Sequence, residues 1–476
     1  MASAQSPAPA PPHVVIFPYM AQGRTLPLLD ISKTLASRGL KLTIITTPSN
    51  APFILTKISS HPSISLSIIP FPRVEDLPEG CENTANLPSM SHSLPFFTAT
   101  KRMKQPFEHV LRTMFENGCP PICVISDFIL SWTLDSCCLF GIPRIVFHAM
   151  GVLPTLILKT AFIRRLCIKA SMYSKPIYFP DLKISFTLNK SDFPESIQRG
   201  DPDDPFLQIM EEIEEADKSS YGVLANSFED LEGEYVAALE AIFSNNAKIW
   251  CVGPVLLYDQ DGAHRQKESE SCPYVKWLDK HVESNGVLYV SFGSQAHLSN
   301  NQMEEIAFGL EMAGYPFIWA ARSKEWGPPD DWTERVKGRG LVVRDWVEQR
   351  SILAHPAVVG FLSHCGWNSV LESLSMGVPL LAWPMDAEQP LNAKVVAWEL
   401  GAGIQLFPQE SVGEEKMMTV DRRVISDGVK ELMVGDIGRK ARERAQAIGK
   451  MARQAVKKGG SSDTKLDQLI QSLTNK

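Results

Sequence analysis

The chain of 476 residues is too long for a single hydrophobic core, and typical domain sizes favour two domains. Hydrophobic residues make up 44% and charged residues 21%, as in ordinary globular proteins. The net charge of −7 offers no long-range attraction for nucleic acid or anionic membranes, which argues against both as partners. Nowhere do 18 uncharged apolar residues follow one another, so no membrane span is predicted.

The cysteines and the first residues bear on the cellular compartment. Nine cysteines form an odd set without a C-x-x-C pair, which indicates neither a zinc site nor a disulfide framework. We therefore expect no metal and a reducing, cytoplasmic location. Residues 1–12, MASAQSPAPAPP, carry no apolar run of signal-peptide length and are predicted to form a disordered tail. The protein is expected to be a monomer.

The first half of the chain alternates apolar, β-branched runs with segments of helical spacing. After the first run, Leu26, Leu29 and Leu35 fall at helical spacing, so a strand is followed by a turn and a helix. The predicted strands are HVVIFPYM, LKLTIITTP, LSIIPFP, ICVISDF and PRIVFHAM. Strands alternating with helices predict a parallel sheet that is covered on both faces.

Near residue 255 the alternation is interrupted by the polar stretch DQDGAHRQKESES, and it restarts with GVLYVSFGS. The next helix has these apolar residues on one face: Met303, Ile306, Ala307 and Leu310. We therefore predict an α/β fold with a first domain at 13–254 and a second at 255–455. The last segment, 456–476, repeats the one-face spacing and is expected to be a helix that packs back on the first domain.

A strand, turn and helix in the second half predict an anion site. The strand VVGFLSH runs into the tight turn HCGWN and then into the short helix SVLESLSMG, which Gly377 closes. Free N–H groups and the helix dipole at a helix N-terminus favour a phosphate. In open α/β sheets, ligands bind beyond the carboxyl ends of the strands. A diphosphate is therefore expected at His364, Gly366, Asn368 and Ser369.

The 44 residues WVEQRSILAHPAVVGFLSHCGWNSVLESLSMGVPLLAWPMDAEQ, from Trp346 to Gln389, resemble the signature box of plant secondary-product UDP-glycosyltransferases. The spacing agrees throughout, and the pattern on either side extends the resemblance over nearly the whole chain. It implies the GT-B fold, two Rossmann-like β/α/β domains facing across a cleft. It also implies an inverting, metal-independent transfer from UDP-glucose, with no further cofactor, to a small phenolic or other plant secondary metabolite.

The resemblance assigns the donor site residue by residue. Trp346 would stack on uracil, and Glu372 would hold the ribose hydroxyls. His364 would meet the diphosphate, and Gln389, which resembles the closing residue of glucose users, would line the sugar. The whole predicted UDP-sugar set is Ser294, Trp346, Val347, Gln349, His364, Gly366, Trp367, Asn368, Ser369, Glu372, Glu388 and Gln389.

Five of these residues also have a purely structural explanation. Ser369 and Glu372 fit a capping box, in which Glu372 only accepts a backbone N–H. Trp346 and Trp367 could be core aromatics, and a single buried His364 would be ordinary. The joint spacing favours the donor site over these alternatives.

The acceptor side departs from the family pattern. A phenol with a pKa of about 10, or an alcohol, is mostly protonated at neutral pH, so transfer needs a group that takes the proton. In the family this is a histidine in the turn after the first strand, supported by an aspartate. Here Arg24 stands at the position of the histidine, and Asp127 in VISDF matches the aspartate. A guanidinium stays protonated, so Arg24 cannot be the base.

Several explanations of Arg24 stay open. In the first explanation, the acceptors are acidic phenols that ionise unaided, and Arg24 stabilises the phenolate. This would suit O- or C-glycosylation. Alternatively another group is the base, either His148 in VFHAM or Asp127 itself. A third possibility is a UDP-sugar-binding protein that catalyses weakly or not at all, and a fourth is a solvated arginine that Asp127 merely neutralises. The acceptor pocket is expected at Leu94, Phe128, His148 and Asp386.

Overall fold

The computed structural model describes residues 11–164, 176–201, 203–243, 247–258, 273–283, 286–293, 298–323, 326–407 and 419–475. Residues 1–10 of the predicted tail and the predicted donor residue Ser294 lie outside this part.

The strands of the described chain form two sheets in which every pairing is parallel. The first sheet contains β1 (His13–Phe17), β2 (Lys41–Thr46), β3 (Ile64–Ile68), β4 (Cys123–Asp127), β5 (Arg144–His148), β6 (Gly222–Ala225) and β7 (Lys248–Cys251). The second contains β8 (Val287–Ser291), β9 (Phe317–Ala320), β10 (Gly340–Val343), β11 (Val358–Ser363), β12 (Leu380–Ala382) and β13 (Gly403–Gln405). The α/β prediction is confirmed.

Helices connect the strands. The helices between β1 and β7 are α1 (Gln22–Ser37), α2 (Ala51–Ile58), α3 (Ser93–Lys101), α4 (Lys104–Glu116), α5 (Thr133–Phe140), α6 (Val152–Ile163), α7 (Glu195–Arg199), α8 (Pro205–Ser219) and α9 (Glu229–Glu240). Those that follow are α10 (Pro273–Asp279), α11 (Asn300–Ala313), α12 (Trp332–Arg335), α13 (Gln349–Leu353), α14 (Trp367–Met376), α15 (Gln389–Lys394), α16 (Arg422–Val434), α17 (Asp436–Val456) and α18 (Ser461–Thr474). A π-helix, Val395–Glu399, continues α15. None of the helices in the described ranges has the length and apolar content that crossing a bilayer requires.

The strand order places one switch point in each sheet. The first sheet runs β3-β2-β1-β4-β5-β6-β7, and the second runs β10-β9-β8-β11-β12-β13. The order reverses between β1 and β4 and again between β8 and β11, and a crevice opens at the carboxyl ends of the strands at such a point. Arg24 follows β1 and Asp127 ends β4, while His364 follows β11. Arg24 and Asp127 therefore lie at the switch point of the first sheet, and His364 lies at that of the second.

The central strands are buried along their whole length because helices cover both faces. All five residues of β1, β4 and β5 are buried, which explains why these strands have continuous apolar runs instead of an alternating pattern. On one face their side chains pack with helix α1. On the other face, β1 and β4 pack with helix α4, and Val146 of β5 packs with helix α6.

The last helix, α18, belongs to the core of the first sheet. Leu466, Leu469 and Leu473 are buried in the same cluster as the side chains of β1 and β2. The hydroxyl of Ser462 donates a hydrogen bond to the carbonyl oxygen of Gly253, at 2.5 Å. Since the first sheet ends at β7 and the second begins at β8, we propose the link near residue 255 as the domain boundary.

Candidate functional site

The turn after β11 has an unusual backbone. Cys365, between His364 and Gly366, has φ 62°, a left-handed conformation that costs a non-glycine residue about 1–2 kcal/mol. The Cys365 N–H donates to Ser363 Oγ at 3.1 Å, and its carbonyl accepts from Asn392 Nδ2 at 2.9 Å. Such strain persists where the surroundings impose it, often at binding sites. The turn holds His364 and the N-terminus of α14 at the switch point.

His364 fits into space that two glycines leave. A Cβ on Gly293 or on Gly366 would lie 2.6 Å from His364 Nε2, which is closer than real contacts allow. Burial, with a contribution from the cation of Arg322, lowers the pKa of His364 to about 4. The imidazole is therefore neutral at physiological pH, and it can donate one hydrogen bond to a phosphate oxygen.

The carboxylate of Glu372 is held by two neighbours on α13. Its Oε2 accepts from Gln349 Nε2 at 2.7 Å, and its Oε1 accepts from Arg350 Nε at 3.0 Å. The same Gln349 nitrogen donates to Ser369 Oγ at 3.0 Å. Helix α14 begins two residues before Ser369, and its N-cap, Gly366, has no side-chain cap. The capping-box alternative is therefore wrong, and Glu372 is oriented by side chains.

Arg350 is a site residue that the sequence analysis missed. Its Nη2 lies 2.8 Å from Asp30 Oδ2 on α1, and its Nε donates to Glu372. All three side chains are largely buried. Although burial opposes the charge, the carboxylates of Asp30 and Glu372 raise the pKa of Arg350. The available signal was its place, directly after Gln349. Arg350 connects the helix that carries Arg24 to the predicted ribose carboxylate.

The two tryptophans of the predicted donor set have different surroundings. Trp346 is 46% exposed, and the guanidinium of Arg322 lies 4.6 Å from its ring centroid. Trp367 is only 1% exposed, and its indole N–H donates to the carbonyl of Asn226 at 2.8 Å. An exposed ring face is available to a base, whereas the Trp367 side chain packs between the two sheets, as a core aromatic does. Val347, beside Trp346, is buried.

Asn368 brings the turn after β11 to the N-terminus of α1, which carries Arg24. Its Nδ2 donates to the carbonyl of Gly23, and its Oδ1 accepts from Asn226 Nδ2 at 3.4 Å. Gly23 directly precedes Arg24 in α1. The predicted diphosphate turn and the predicted catalytic position are thus adjacent across the cleft.

The segment predicted to line the sugar is organised by its own side chains. Gln389 Oε1 accepts from the N–H groups of Met385 and Asp386, at 3.0 and 3.2 Å. Ala387, between them and Gln389, has φ 55°. Glu388 Oε1 accepts from Asn392 Nδ2 at 3.3 Å. These bonds fix the Gln389 carbonyl and orient its amide NH₂ group.

On the acceptor side, Arg24 is the third residue of α1, and its guanidinium lies 4.6 Å from the ring centroid of Phe128. Its Nη1 is 3.8 Å from Asp127 Oδ2. Asp127 is fully buried, and its Oδ1 accepts from the N–H of Ile129 at 3.0 Å. Burial raises the pKa of Asp127, and the cation of Arg24 opposes that rise. Arg24 therefore partly neutralises a carboxylate that is costly to bury.

His148 stacks on Phe128, with centroids 5.0 Å apart and ring planes 9° from parallel. Its Nε2 is 2.9 Å from Asp217 Oδ2. The structure thus brings together Arg24, Asp127, Phe128 and His148. Leu94 on α3 and Asp386 after β12 lie on separate elements, both exposed.

Behind His148 lies a buried ionic cluster that the sequence analysis also missed. Lys159 Nζ donates to Asp217 Oδ2 at 2.9 Å and to Glu214 Oε1 at 2.7 Å. Arg144 Nη1 is 3.9 Å from Asp217 Oδ1. One signal was available, because Lys159 interrupts the otherwise uncharged helix α6, and a charge there needs buried partners. In the part of the chain that the structure describes, no group of three or more His, Cys, Asp or Glu is placed to hold a metal ion.

The chain is similar to known proteins over nearly its whole length. Residues 189–434 match the family model described as UDP-glucoronosyl and UDP-glucosyl transferase. UDP-glycosyltransferase 90A1 of Arabidopsis thaliana is 38% identical, with 97% of this chain and 96% of that protein covered. Scopoletin glucosyltransferase of Nicotiana tabacum is 36% identical, with 97% and 98% covered.

A solved structure resembles the whole chain. The crystal structure of Glycyrrhiza uralensis UGT73P12, complexed with glycyrrhetinic acid 3-O-monoglucuronide, superposes with a TM-score of 0.86 at 30% identity. The superposition covers 98% of this chain and 96% of that one. The predicted GT-B fold is confirmed.

Proposed function

This chain belongs to the plant family-1 UDP-glycosyltransferases, and we propose that it is an inverting, UDP-glucose-dependent enzyme that glucosylates a small phenolic or other plant secondary metabolite. One observation carries the proposal: the exposed ring of Trp346 lies after β10, the carboxylate of Glu372 is oriented on α14, and His364 lies beside the strained Cys365 in the turn after β11. These groups suit a base, a ribose and a diphosphate.

The donor would be bound without a resident metal or cofactor. In this proposal uracil stacks on Trp346, and the ribose hydroxyls donate to Glu372, whose orientation Gln349 and Arg350 fix. The diphosphate lies at the N-terminus of α14 beside neutral His364, where N–H groups and the helix dipole stabilise negative charge. These donors favour the departing UDP most strongly as charge builds up on it. The amide of Gln389 faces the glucose hydroxyls.

The chemical step is a direct displacement. The acceptor oxygen, or an activated ring carbon, attacks the anomeric carbon from the face opposite UDP. The new bond to the acceptor forms as the bond from the anomeric carbon to the diphosphate oxygen breaks, and its electron pair leaves with UDP. A β-glucoside results. The acceptor gives up one proton, which Arg24 cannot take.

Arg24 nevertheless has a role in this proposal. Its guanidinium lies against Phe128 at the carboxyl end of the first sheet, on the side that faces the donor turn. A cation there stabilises the negative charge that develops on a phenolic oxygen, and it favours acceptors that ionise readily. The relative named for scopoletin glucosylation is consistent with a small acceptor.

The alternative function is a UDP-sugar-binding protein with weak or no transfer. One observation favours it: Arg24 stands at the position where the family has its base, and the supporting Asp127 lies beside a permanent cation. Both functions need the same proposed donor site.

The deciding experiment incubates wild type with UDP-glucose and a panel of acidic phenols, carbon nucleophiles and aliphatic alcohols. UDP release reports transfer, and acid hydrolysis separates O- from C-glucosides. Arg24→His is tested in parallel, with Arg439→His as control, since the ion pairs of exposed Arg439 lie within its own helix. We expect transfer by wild type and a gain for weakly acidic hydroxyls in Arg24→His. UDP binding without UDP release across the panel supports the alternative.

For its cellular setting, we propose a monomer in the cytosol. The odd number of cysteines without a C-x-x-C pair suits a reducing compartment.

A further inference from the structure

Three buried polar atoms around Phe128 have no hydrogen-bond partner among the described residues. They are Arg24 Nη1, Asp127 Oδ2 and His148 Nδ1. The first two are 3.8 Å apart, and the rings of His148 and Phe128 stack. All three atoms belong to the carboxyl ends of β1, β4 and β5, which are neighbours in the sheet. Because unpaired buried polar atoms are costly, such a group indicates a missing partner.

Asp217, which contacts the Nε2 atom of His148, decides the tautomer of the imidazole. Asp217 is fully buried, and its Oδ2 lies 2.9 Å from both Lys159 Nζ and His148 Nε2. Burial opposes ionisation, but Lys159, His148 and Arg144 together lower the pKa of Asp217. An ionised carboxylate only accepts hydrogen bonds, so His148 Nε2 carries the hydrogen and Nδ1 presents a lone pair.

We infer that His148 Nδ1 takes the acceptor proton in this chain, and that Asp217 is the residue that positions it. This inference rests on the proposed function. Asp217 holds the ring by its far nitrogen and stabilises the imidazolium that forms, as the aspartate of a hydrolase triad does. Proton uptake by Asp127 instead would leave the Arg24 cation beside a neutral acid. Proton uptake by His148 creates a cation beside a carboxylate.

The arrangement also selects the class of acceptor. In this inference the acceptor hydroxyl donates its hydrogen to His148 Nδ1, and the cation of Arg24 beside Phe128 stabilises the charge that develops on the hydroxyl oxygen. Its O–H bond breaks towards Nδ1 while its oxygen attacks the anomeric carbon, and UDP leaves with the electron pair. A carboxylate has no proton to donate and would meet Asp127 Oδ2. The acceptor is therefore a neutral hydroxyl of moderate acidity, and the product is an O-glucoside.

The test compares two phenols, one ionised at the assay pH and one with a pKa near 10. His148→Gln should lower kcat/KM for the weakly acidic phenol by roughly 10²–10⁴-fold, because a general base contributes that much. It should change the rate for the ionised phenol only a few-fold, since that acceptor needs no base. The limb of the pH profile that reports the base should vanish. His109→Gln, an exposed histidine on α4, is the matched control.

Asp217→Asn tests the positioning role. It should lower the rate for the same phenol and shift the limb of the pH profile to lower pH, because the imidazolium loses its carboxylate. This variant keeps the other charged groups around the pair: Arg144 and Lys159 contact Asp217, Glu214 contacts Lys159, Asp127 interacts with His148, and Arg24 lies beside Asp127. If Asp217→Asn does not fold, His148→Gln alone decides.

Each outcome has one meaning. Equal losses on both phenols, or less than a few-fold loss on the weakly acidic one, overturn the inference while the proposed function stands. Wild type that binds UDP-glucose but transfers to neither phenol overturns the proposed function and the inference with it. Melting temperature and UDP titration accompany every variant.

Discussion

Arg350 of the second sheet's domain lies 2.8 Å from Asp30 on α1, the helix whose first turn contains Arg24. The same guanidinium donates to Glu372, so one side chain links the two halves of the cleft. Arginine suits this place because its planar group presents several N–H donors in fixed directions. The proposed donor site and the helix α1 are thereby connected through one side chain.

Removing this bridge should destabilise the protein and weaken donor binding. Arg350→Gln leaves two largely buried carboxylates without their cation, and loss of one partner in such a group costs about 3–5 kcal/mol. We expect a lower unfolding midpoint in urea and a higher Kd for UDP by calorimetry. Arg439→Gln, at an exposed position, should change stability by less than about 0.5 kcal/mol. Equal midpoints for the two variants would show that the bridge contributes nothing measurable.

Trp346 should be the main contact for uracil. Stacking of a base on an aromatic ring contributes about 1–3 kcal/mol, so Trp346→Ala should raise the Kd for UDP by roughly 5- to 150-fold. Trp398→Ala removes a comparably exposed ring from the π-helix and serves as control. Isothermal titration with UDP measures both. Identical affinities for the two variants would remove Trp346 from the donor site.

A pair of glycines separates backbone strain from crowding at the site. Gly293 has φ 78° and Gly314 has φ 81°, so alanine at either position costs about 1–2 kcal/mol of conformational energy. A Cβ on Gly293 would meet His364 Nε2 at 2.6 Å, whereas nothing lies within 4 Å of one on Gly314. Gly293→Ala should lose more stability than Gly314→Ala, because it adds this clash to the same backbone strain, and it alone should lose UDP affinity. Unchanged affinity in Gly293→Ala would mean that the ring position is unimportant.

The lowered pKa of His364 should make the stability of the protein depend on pH. Its pKa is about 4 in the folded protein and 6.5 ordinarily, so between these values the unfolded chain binds a proton that the folded chain does not. Stability therefore falls as pH drops through this window. His364→Asn should make the slope of unfolding free energy against pH shallower between pH 4 and 6.5, with parallel curves above. His109→Asn should keep the wild-type slope.

Local patterns made part of this structure predictable. The run VVGFLSH, the turn after it and the closing Gly377 depend on nearby residues, and the structure has a strand, a turn and a helix there. Local patterns could not show that the side chain of Trp346 is exposed and that of Trp367 is buried. Burial of Trp367 depends on Asn226 in the other half of the chain, and no local pattern reports such a partner.

Contacts between residues that are distant in sequence could not be predicted either. Asp30 and Arg350 meet only when the two sheets are assembled, and His148 meets Asp217 only when α8 packs behind β5. Each residue looks ordinary within its own segment. The family resemblance did not predict these two pairs either, because the catalytic pair of the family falls on Arg24 and Asp127.

The placement of α18 has a consequence for biosynthesis. A ribosome makes the strands of the first sheet early, yet three leucines of their core, Leu466, Leu469 and Leu473, are made only after the whole second sheet. The nascent first sheet must therefore keep an uncovered apolar face until α18 has been made. Chaperone demand should be greatest in that interval, and a stop codon placed before α18 should leave a chain that aggregates although the turn after β11 is intact.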